Sequence, residues 1–129
     1  MSAMSPSTVQ RWFIPNAVCV VMGTLFLVIA LWGFVDGERV LIFHVNAAHN
    51  MVHLISGLAA LACGLFSLKA AIRFCLIFGV VYFLVALLGF LNVPLMNEAL
   101  HLNDADDFLH LLVAIIFLAA PTVSAAIRD

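Results

Sequence analysis

The stretch His44–Leu54, HVNAAHNMVHL, carries the same polar pattern as the stretch His101–Leu111, HLNDADDFLHL. Both begin with histidine, place asparagine two positions later, and end with histidine followed by leucine. In the second copy Asp106 stands where the first has His49. This recurrence indicates that the chain contains a duplication, and the apolar sequence around the two stretches decides how they are held.

The composition is that of a membrane protein. Hydrophobic residues make up 66% of the 129 residues and charged residues 9%, whereas charged residues form about a quarter of a soluble domain. The mean hydropathy is +1.22. The lipid bilayer is therefore the expected partner, and without a basic cluster no nucleic-acid interface is expected. Three cysteines without a C-x-x-C spacing predict small apolar core residues.

Four apolar stretches are long enough to cross a bilayer, which takes about 20 helical residues. We predict spans over residues 16–35, 46–68, 74–91 and 103–127, a polar tail over 1–10, a helix start at Pro15, an apolar interfacial connection over 40–45 and a basic link over 69–73. The predicted fold is an all-α membrane protein with one domain over 11–129. It is a four-transmembrane-helix bundle of two tandem helical hairpins, repeat unit one over about 11–68 and unit two over about 69–129.

The basic residues predict the orientation of these spans. Arg11, Lys69, Arg73 and Arg128 fall at one end of the bundle and only Arg39 at the other, so both termini are expected to be cytoplasmic. All five histidines then lie at the outer end. Because each repeat unit has two spans, both units keep the same membrane orientation. A pseudo-two-fold axis along the membrane normal follows, which makes this a parallel repeat.

The repeated motif predicts a metal site at the outer end. Residues four apart share one face of a helix, so His49 and His53 point the same way, as do Asp106 and His110. Where the axis brings the two helices together, these side chains form a ligand set for zinc or another transition metal. Further polar residues near the motif are expected to orient the ligands: Asp36, His44, Asn92 and His101.

A structural interpretation of the same motif stays open. Asn46 and Asn103 are good helix caps, and Asp106 and Asp107 complement the positive end of a helix dipole. On this interpretation the protein is a structural or accessory membrane subunit, in a homo-oligomer or a larger membrane complex. No enzymatic activity is then expected.

A redox interpretation also stays open. His53 and His110 occupy equivalent positions, as the two axial ligands of a b-type haem would, and a small haem- or quinone-linked membrane subunit is the resulting hypothesis. A zinc protease is excluded because Asn50 rather than glutamate follows His49. Transport is not expected, since no charged residue interrupts the middle of the spans.

The stretches NAAHNMVHLISGL (residues 46–58) and DADDFLHLL (residues 104–112) resemble the two hallmarks of an uncharacterised bacterial family of four-span membrane proteins, domain of unknown function 4383. The resemblance covers about residues 11–126. It implies a four-helix protein of the bacterial inner membrane and brings no activity, substrate or cofactor with it. A looser similarity is to the DoxX-like four-span proteins, some of which serve quinone-linked oxidation.

Overall fold

Five helices and one small hairpin make up the computed structural model, which describes the backbone of residues 6–126 and the side chains of residues 14–126. The elements in chain order are α1 (Pro6–Asp36), β1 (Arg39–Val40), β2 (Phe43–His44), α2 (Ala47–Phe66), α3 (Leu68–Phe90), α4 (Pro94–Leu100) and α5 (Asp104–Ala126). β1 and β2 pair antiparallel. Of the predicted tail over residues 1–10, residues 1–5 lie outside the described residues, as does the predicted helix end at 127, whereas residues 6–10 belong to α1.

Four of these helices are long and apolar enough to cross a membrane: Ile14–Asp36 within α1, and the whole of α2, α3 and α5. Their most apolar windows are only 28 to 39% buried inside the chain. The exposed side chains of these helices are largely aliphatic and aromatic, which favours contact with lipid tails over contact with water. The predicted four-helix membrane bundle is confirmed.

The helix boundaries differ from the prediction at two places. α1 begins at Pro6, so Pro15 lies inside the helix and is buried instead of starting it. α3 begins at Leu68, so the predicted basic link over 69–73 is the first turn of a helix. Ser67 alone separates α2 from α3: its hydroxyl accepts the N–H of Ala70 at 3.2 Å, and a single capping residue is enough to reverse the chain.

The connections over residues 37–46 and 91–103 lie at the same end of the bundle; we call them the outer connections and this end the outer end, after the predicted orientation, and both connections are more ordered than predicted. The segment expected as an apolar interfacial connection forms the β1–β2 hairpin, which exposes Leu41 and Ile42 at its tip while Val40 and Val45 are buried. The other connection contains α4, which the sequence-based prediction missed. Strands of two residues and a helix of seven are too short to produce a recognisable hydrophobic period.

The helices pack as two closely associated pairs, α1 with α2 and α3 with α5. α1 and α2 approach most closely at Gly23 and Gly57: a Cβ built on either glycine lies 2.9 Å from the carbonyl oxygen of the other. Glycine at both positions therefore allows backbone contact between the helices. The pseudo-two-fold axis and the parallel repeat stay predictions.

The three cysteines belong to the packed interior, as predicted. Cys19 and Cys75 are fully buried, Cys63 is half-buried, and all three are free. The Sγ atoms of Cys19 and Cys75 lie 3.7 Å apart, and the Cys19 thiol also lies 3.6 Å from the carbonyl oxygen of Ala71. These thiols pack α1 against α3 as small side chains.

Two asparagines tie the outer connections together. The side-chain oxygen of Asn46 caps α2 by accepting the N–H three residues on at 2.8 Å, and its amide donates to the carbonyl of Ala99 in α4 at 2.9 Å. Asn103 caps α5 in the same way at 2.9 Å and donates to the carbonyl of Ile42 in the hairpin at 2.9 Å. Each asparagine therefore fixes one helix start and the opposite connection.

We expect Asn103→Ala to lower the free energy of unfolding by about 2 kcal/mol, since it removes a helix cap and a cross-connection hydrogen bond worth about 1 kcal/mol each. Denaturing-detergent titration of the purified protein in mixed micelles measures the loss. Ser67→Ala is the matched comparison, because Ser67 provides a cap without a cross-connection bond. A Ser67→Ala loss as large as that of Asn103→Ala would show that the bond to Ile42 contributes nothing.

Candidate metal centre

Two helices bring three histidines together at the outer end of the bundle. His49 and His53 lie one turn apart on the inner face of α2, and His110 lies on the inner face of α5. All three are buried, with exposed fractions of 2, 4 and 3%. Four-residue spacing in a helix explains the first pair, and the packing of α2 and α5 into one bundle adds the third.

The three rings are close enough to share a ligand. Ring centroids are 4.6 Å apart for His49 and His53, 5.6 Å for His49 and His110, and 6.2 Å for His53 and His110. One ring nitrogen from each lies within 4.8 Å of one from each of the others. We call His49, His53 and His110 the three-histidine cluster. By its donor atoms and spacing, this cluster can hold a metal ion.

Several nitrogens of the three-histidine cluster are buried without a hydrogen-bond partner. These are both ring nitrogens of His49 and the Nδ1 atoms of His53 and His110. The backbone carbonyls of His44 and Leu100 approach His49 without completing a hydrogen bond. Leaving a buried polar atom unpaired costs about 1–3 kcal/mol, so a cluster of them calls for an explanation such as an ion.

Asp106, the fourth predicted ligand, lies outside the three-histidine cluster. Its Oδ2 accepts the backbone N–H of Asn103 at 2.9 Å, while its own N–H is bonded to the Asn103 side chain. This reciprocal pair of bonds is a capping box, in which a side chain at the third helical position supports the cap. Asp106 therefore sets the start of α5, although it is only 2% exposed.

The residues expected to orient the ligands separate into two groups. The rings of His44 and His101 approach each other, with centroids 5.5 Å apart, at the junction of the two outer connections. Asp36 instead accepts the indole N–H of Trp32 at 2.6 Å on the exposed side of α1. Asn92 is exposed and has a left-handed backbone, φ 51°, just after α3 ends. The structure joins His44 to His101 and gives Asp36 and Asn92 local partners.

Aromatic residues that the sequence-based prediction did not assign to the site enclose the three-histidine cluster. The ring of Phe26 stacks on His53 at 5.4 Å and 8°, and the Tyr82 ring lies 5.5 Å from His110. The Tyr82 hydroxyl is buried and faces Ser56 without completing a hydrogen bond. Tyr82 is the only tyrosine of the chain, and like Phe26 it is followed by alanine four positions later and by Gly-Phe seven positions later. That exchange of phenylalanine for tyrosine was the available signal.

Residues 16–123 match the protein family described as Domain of unknown function (DUF4383). The chain belongs to this family. The matched segment of this DUF4383 protein contains the whole three-histidine cluster and all four membrane spans except the first residues of α1 and the last of α5. No curated protein and no solved structure matches the chain significantly. The family description names no activity, so the interpretation of the site rests on the geometry of this chain.

A small cavity adjoins the three-histidine cluster of this DUF4383 protein. Its volume is about 60 Å³, and it lies between α2 and α3, where His53, Tyr82 and His110 line it together with valine side chains. Pockets for organic ligands usually begin at about 300 Å³. The cavity therefore has room for a metal ion with one or two small ligands, and it does not accommodate a haem between His53 and His110.

Two further polar side chains are buried beside glycines in the DUF4383 fold. Asn50 of α2 is 1% exposed and packs against Gly33 of α1, and Asp107 of α5 is 4% exposed and packs against Gly89 of α3. A Cβ on either glycine would collide with the neighbouring side-chain oxygen. Gly33 and Gly89, near the ends of α1 and α3, therefore leave space for the polar side chains of α2 and α5.

Proposed function

We propose that this protein is an integral membrane protein that binds a transition-metal ion through His49, His53 and His110. The observation that carries the proposal is the convergence of three buried imidazoles, with both ring nitrogens of His49 and the Nδ1 atoms of His53 and His110 lacking hydrogen-bond partners. A neutral imidazole nitrogen is a common ligand for zinc, copper, iron and nickel. Bound metal would replace the missing hydrogen bonds and remove the cost of burying those atoms.

The dimensions support zinc as the first ion to test. A tetrahedral zinc with Zn–N bonds of about 2.0–2.1 Å holds its nitrogens about 3.3 Å apart. The corresponding atoms lie within 4.8 Å of one another, so rotations of the side chains bring them into that range. Three histidines leave a fourth coordination position, and the adjoining cavity of about 60 Å³ has room for a water there.

Asp106 is assigned a structural part in this proposal. Its carboxylate already bonds the N–H of Asn103, and its substitution by asparagine preserves an acceptor oxygen for that bond. We therefore propose the three histidines as the protein ligands and Asp106 as the residue that fixes the first turn of α5, and with it the position of His110. His44 and His101 pair with each other in the outer connections and are not proposed as ligands.

Metal analysis of the full-length protein, purified in detergent without chelators, tests the proposal. About one equivalent of zinc, copper, iron or nickel per chain is expected, and Asp106→Asn is expected to retain it. A wild-type protein without stoichiometric metal, also after incubation with each ion and removal of the excess, would overturn the proposal. Loss of metal from Asp106→Asn with unchanged thermal unfolding would return Asp106 to the ligand set.

A structural role for the motif is the second candidate function. Asn46, Asn103 and Asp106 all make helix-capping hydrogen bonds, and these bonds explain three of the repeated polar residues without any ligand. On this alternative the protein is an accessory subunit of a larger membrane assembly. It predicts that zinc and chelators leave the thermal unfolding temperature unchanged, whereas a bound metal stabilises the folded state by mass action.

We further propose that both termini are cytoplasmic and that the protein resides in the bacterial inner membrane. The distribution of Lys69 and Arg73 at one end and Arg39 at the other supports this orientation. The three-histidine cluster then faces the outer side of that membrane. Cysteine accessibility in intact cells, with a single cysteine introduced at Leu41 or at Lys69, distinguishes the two orientations.

A further inference from the structure

A groove with a volume of about 360 Å³ lies at the end of the bundle opposite the three-histidine cluster, where α2 ends and α3 begins. Its lining includes the polar side chains of Ser67, Lys69 and Arg73, which we call its mouth, and the apolar side chains of Phe74, Ile77 and Phe78. The groove is open to the outside of the bundle. Basic side chains and a run of apolar side chains therefore line one continuous surface.

The basic mouth of the groove lies far from the acidic residues. Lys69 and Arg73 are exposed and lie one turn apart at the start of α3. The acidic side chains of the described residues 14–126 belong instead to the outer connections and to the helix ends beside them: Asp36, Glu38, Glu98, Asp104, Asp106 and Asp107. A membrane-spanning helix of 23 residues separates the two ends by about 35 Å. Within the described residues, the charge of this mouth therefore has no acidic neighbour, and it favours binding of an anion.

The apolar part of the groove continues along α3 into the membrane-spanning region. Phe74 is 5% exposed and stacks on Phe78, with ring centroids 4.1 Å apart, so the two rings hold each other in place along the groove. Ile77 is 59% exposed on the same stretch. From Phe74 to Phe78 the chain carries no charged side chain. A hydrocarbon chain would contact this apolar surface, whereas a free inorganic anion would contact only the basic mouth.

We propose that this groove binds an anionic phospholipid, with the phosphate at Lys69 and Arg73 and one acyl chain along Phe74, Ile77 and Phe78. Basic pockets next to membrane spans favour anionic headgroups, and each cation near the membrane surface adds to the attraction. The arginine contributes a planar donor set suited to phosphate, and the lysine a point charge. The site is separate from the three-histidine cluster and does not depend on a metal.

Lipid titration of the delipidated full-length protein in detergent tests the proposal. Binding of dioleoylphosphatidylglycerol is measured by native mass spectrometry, with dioleoylphosphatidylcholine as the zwitterionic comparison. We expect phosphatidylglycerol to bind the wild type at least tenfold more tightly than phosphatidylcholine does. In Lys69→Gln/Arg73→Gln, its affinity is expected to fall by about 30-fold, since each cation contributes roughly a fivefold factor.

Arg39→Gln is the matched control, because Arg39 is an exposed cation at the other end of the bundle. Its phosphatidylglycerol affinity is expected to stay within twofold of wild type. Equal affinities for the two lipids, or an equal loss in Arg39→Gln and the double variant, would overturn the proposal. If inorganic phosphate at millimolar concentration competes fully with phosphatidylglycerol, the apolar part of the groove is not used and the lipid assignment is wrong.

Discussion

His53→Ala is expected to lower the zinc affinity of the purified protein by more than about 100-fold, and His110→Ala by a similar factor. Even the loss of a residue that merely orients a ligand lowers metal affinity about 10- to 100-fold, and each of these changes removes one of three protein ligands. His110 is the cluster member from α5, so His110→Ala also removes the bridge between α2 and α5, whereas His53→Ala leaves His49 and His110 as the two remaining ligands. Competition with a chromophoric zinc chelator in detergent measures the affinity.

The matched controls for this prediction are His44→Ala and His101→Ala. These residues lie at the same end of the bundle and pair with each other at 5.5 Å, but they are not members of the three-histidine cluster. Their zinc affinities are expected to stay within tenfold of wild type. His53→Gln, which preserves more of the side-chain volume stacked on Phe26, separates metal loss from a packing defect. Equal losses in control and cluster variants would disprove the assigned ligands.

Gly23→Val is expected to lower the free energy of unfolding by about 3 kcal/mol or more, at the upper end of the range for overpacking. A Cβ at this position lies 2.9 Å from the carbonyl oxygen of Gly57 and 3.0 Å from the backbone nitrogen of Leu61. Backbone atoms of a helix cannot rotate aside, so α1 and α2 must separate along their length. Denaturing-detergent titration in mixed micelles measures the change.

Gly79→Val provides the comparison, because Gly79 of α3 faces α5 as Gly23 of α1 faces α2. A Cβ on Gly79 meets chiefly the side-chain end of Leu118, at 2.6 Å, and the Leu118 backbone nitrogen only at 3.3 Å. A leucine side chain can adopt another rotamer, so we expect a loss of about half that of Gly23→Val. Equal losses at the two glycines would show that backbone contact between α1 and α2 has no special importance.

Much of the architecture was predictable because the bilayer restricts the choice of structure. A chain with 66% hydrophobic residues and few charges must form its backbone hydrogen bonds within helices when it crosses a bilayer. The four apolar stretches were long enough to do so. The shared face of His49 and His53 follows from helical spacing alone. The capping role of Asn46 is equally local, since its side chain bonds an N–H three residues away.

The helix boundary between α2 and α3, which was predicted wrongly, depends on a single residue. One serine was enough to end α2 and begin α3, and the basic residues after it were compatible with either a loop or a first helical turn. The hairpin and α4 were missed because they are held by bonds from Asn103 and Asn46, each of which reaches across to the connection on the other side of the bundle end. Contacts between segments so distant in the chain leave no local pattern.

The role of Asp106 illustrates the limit at the candidate site. An aspartate four residues before His110 is compatible with a metal ligand and with a capping box, because both need a carboxylate at the start of a helix. Its hydrogen bond to Asn103 and its place outside the three-histidine cluster favour the capping box. Tyr82 shows the converse case: the exchange of phenylalanine for tyrosine marked the position as unusual, but the residue that it faces, His110, depends on how α3 and α5 pack.

The amino-acid sequence by itself determined that this chain is a membrane protein with four spans and that its histidines gather at one end. Hydrophobicity, span length and helical spacing are local quantities, and the sequence contains them directly. Only the tertiary structure decided that His110 of α5 meets His49 and His53 of α2, and that Asp106 turns to Asn103 instead. The physical reason is that side-chain convergence depends on how separate helices pack, and on the glycines that allow their close approach.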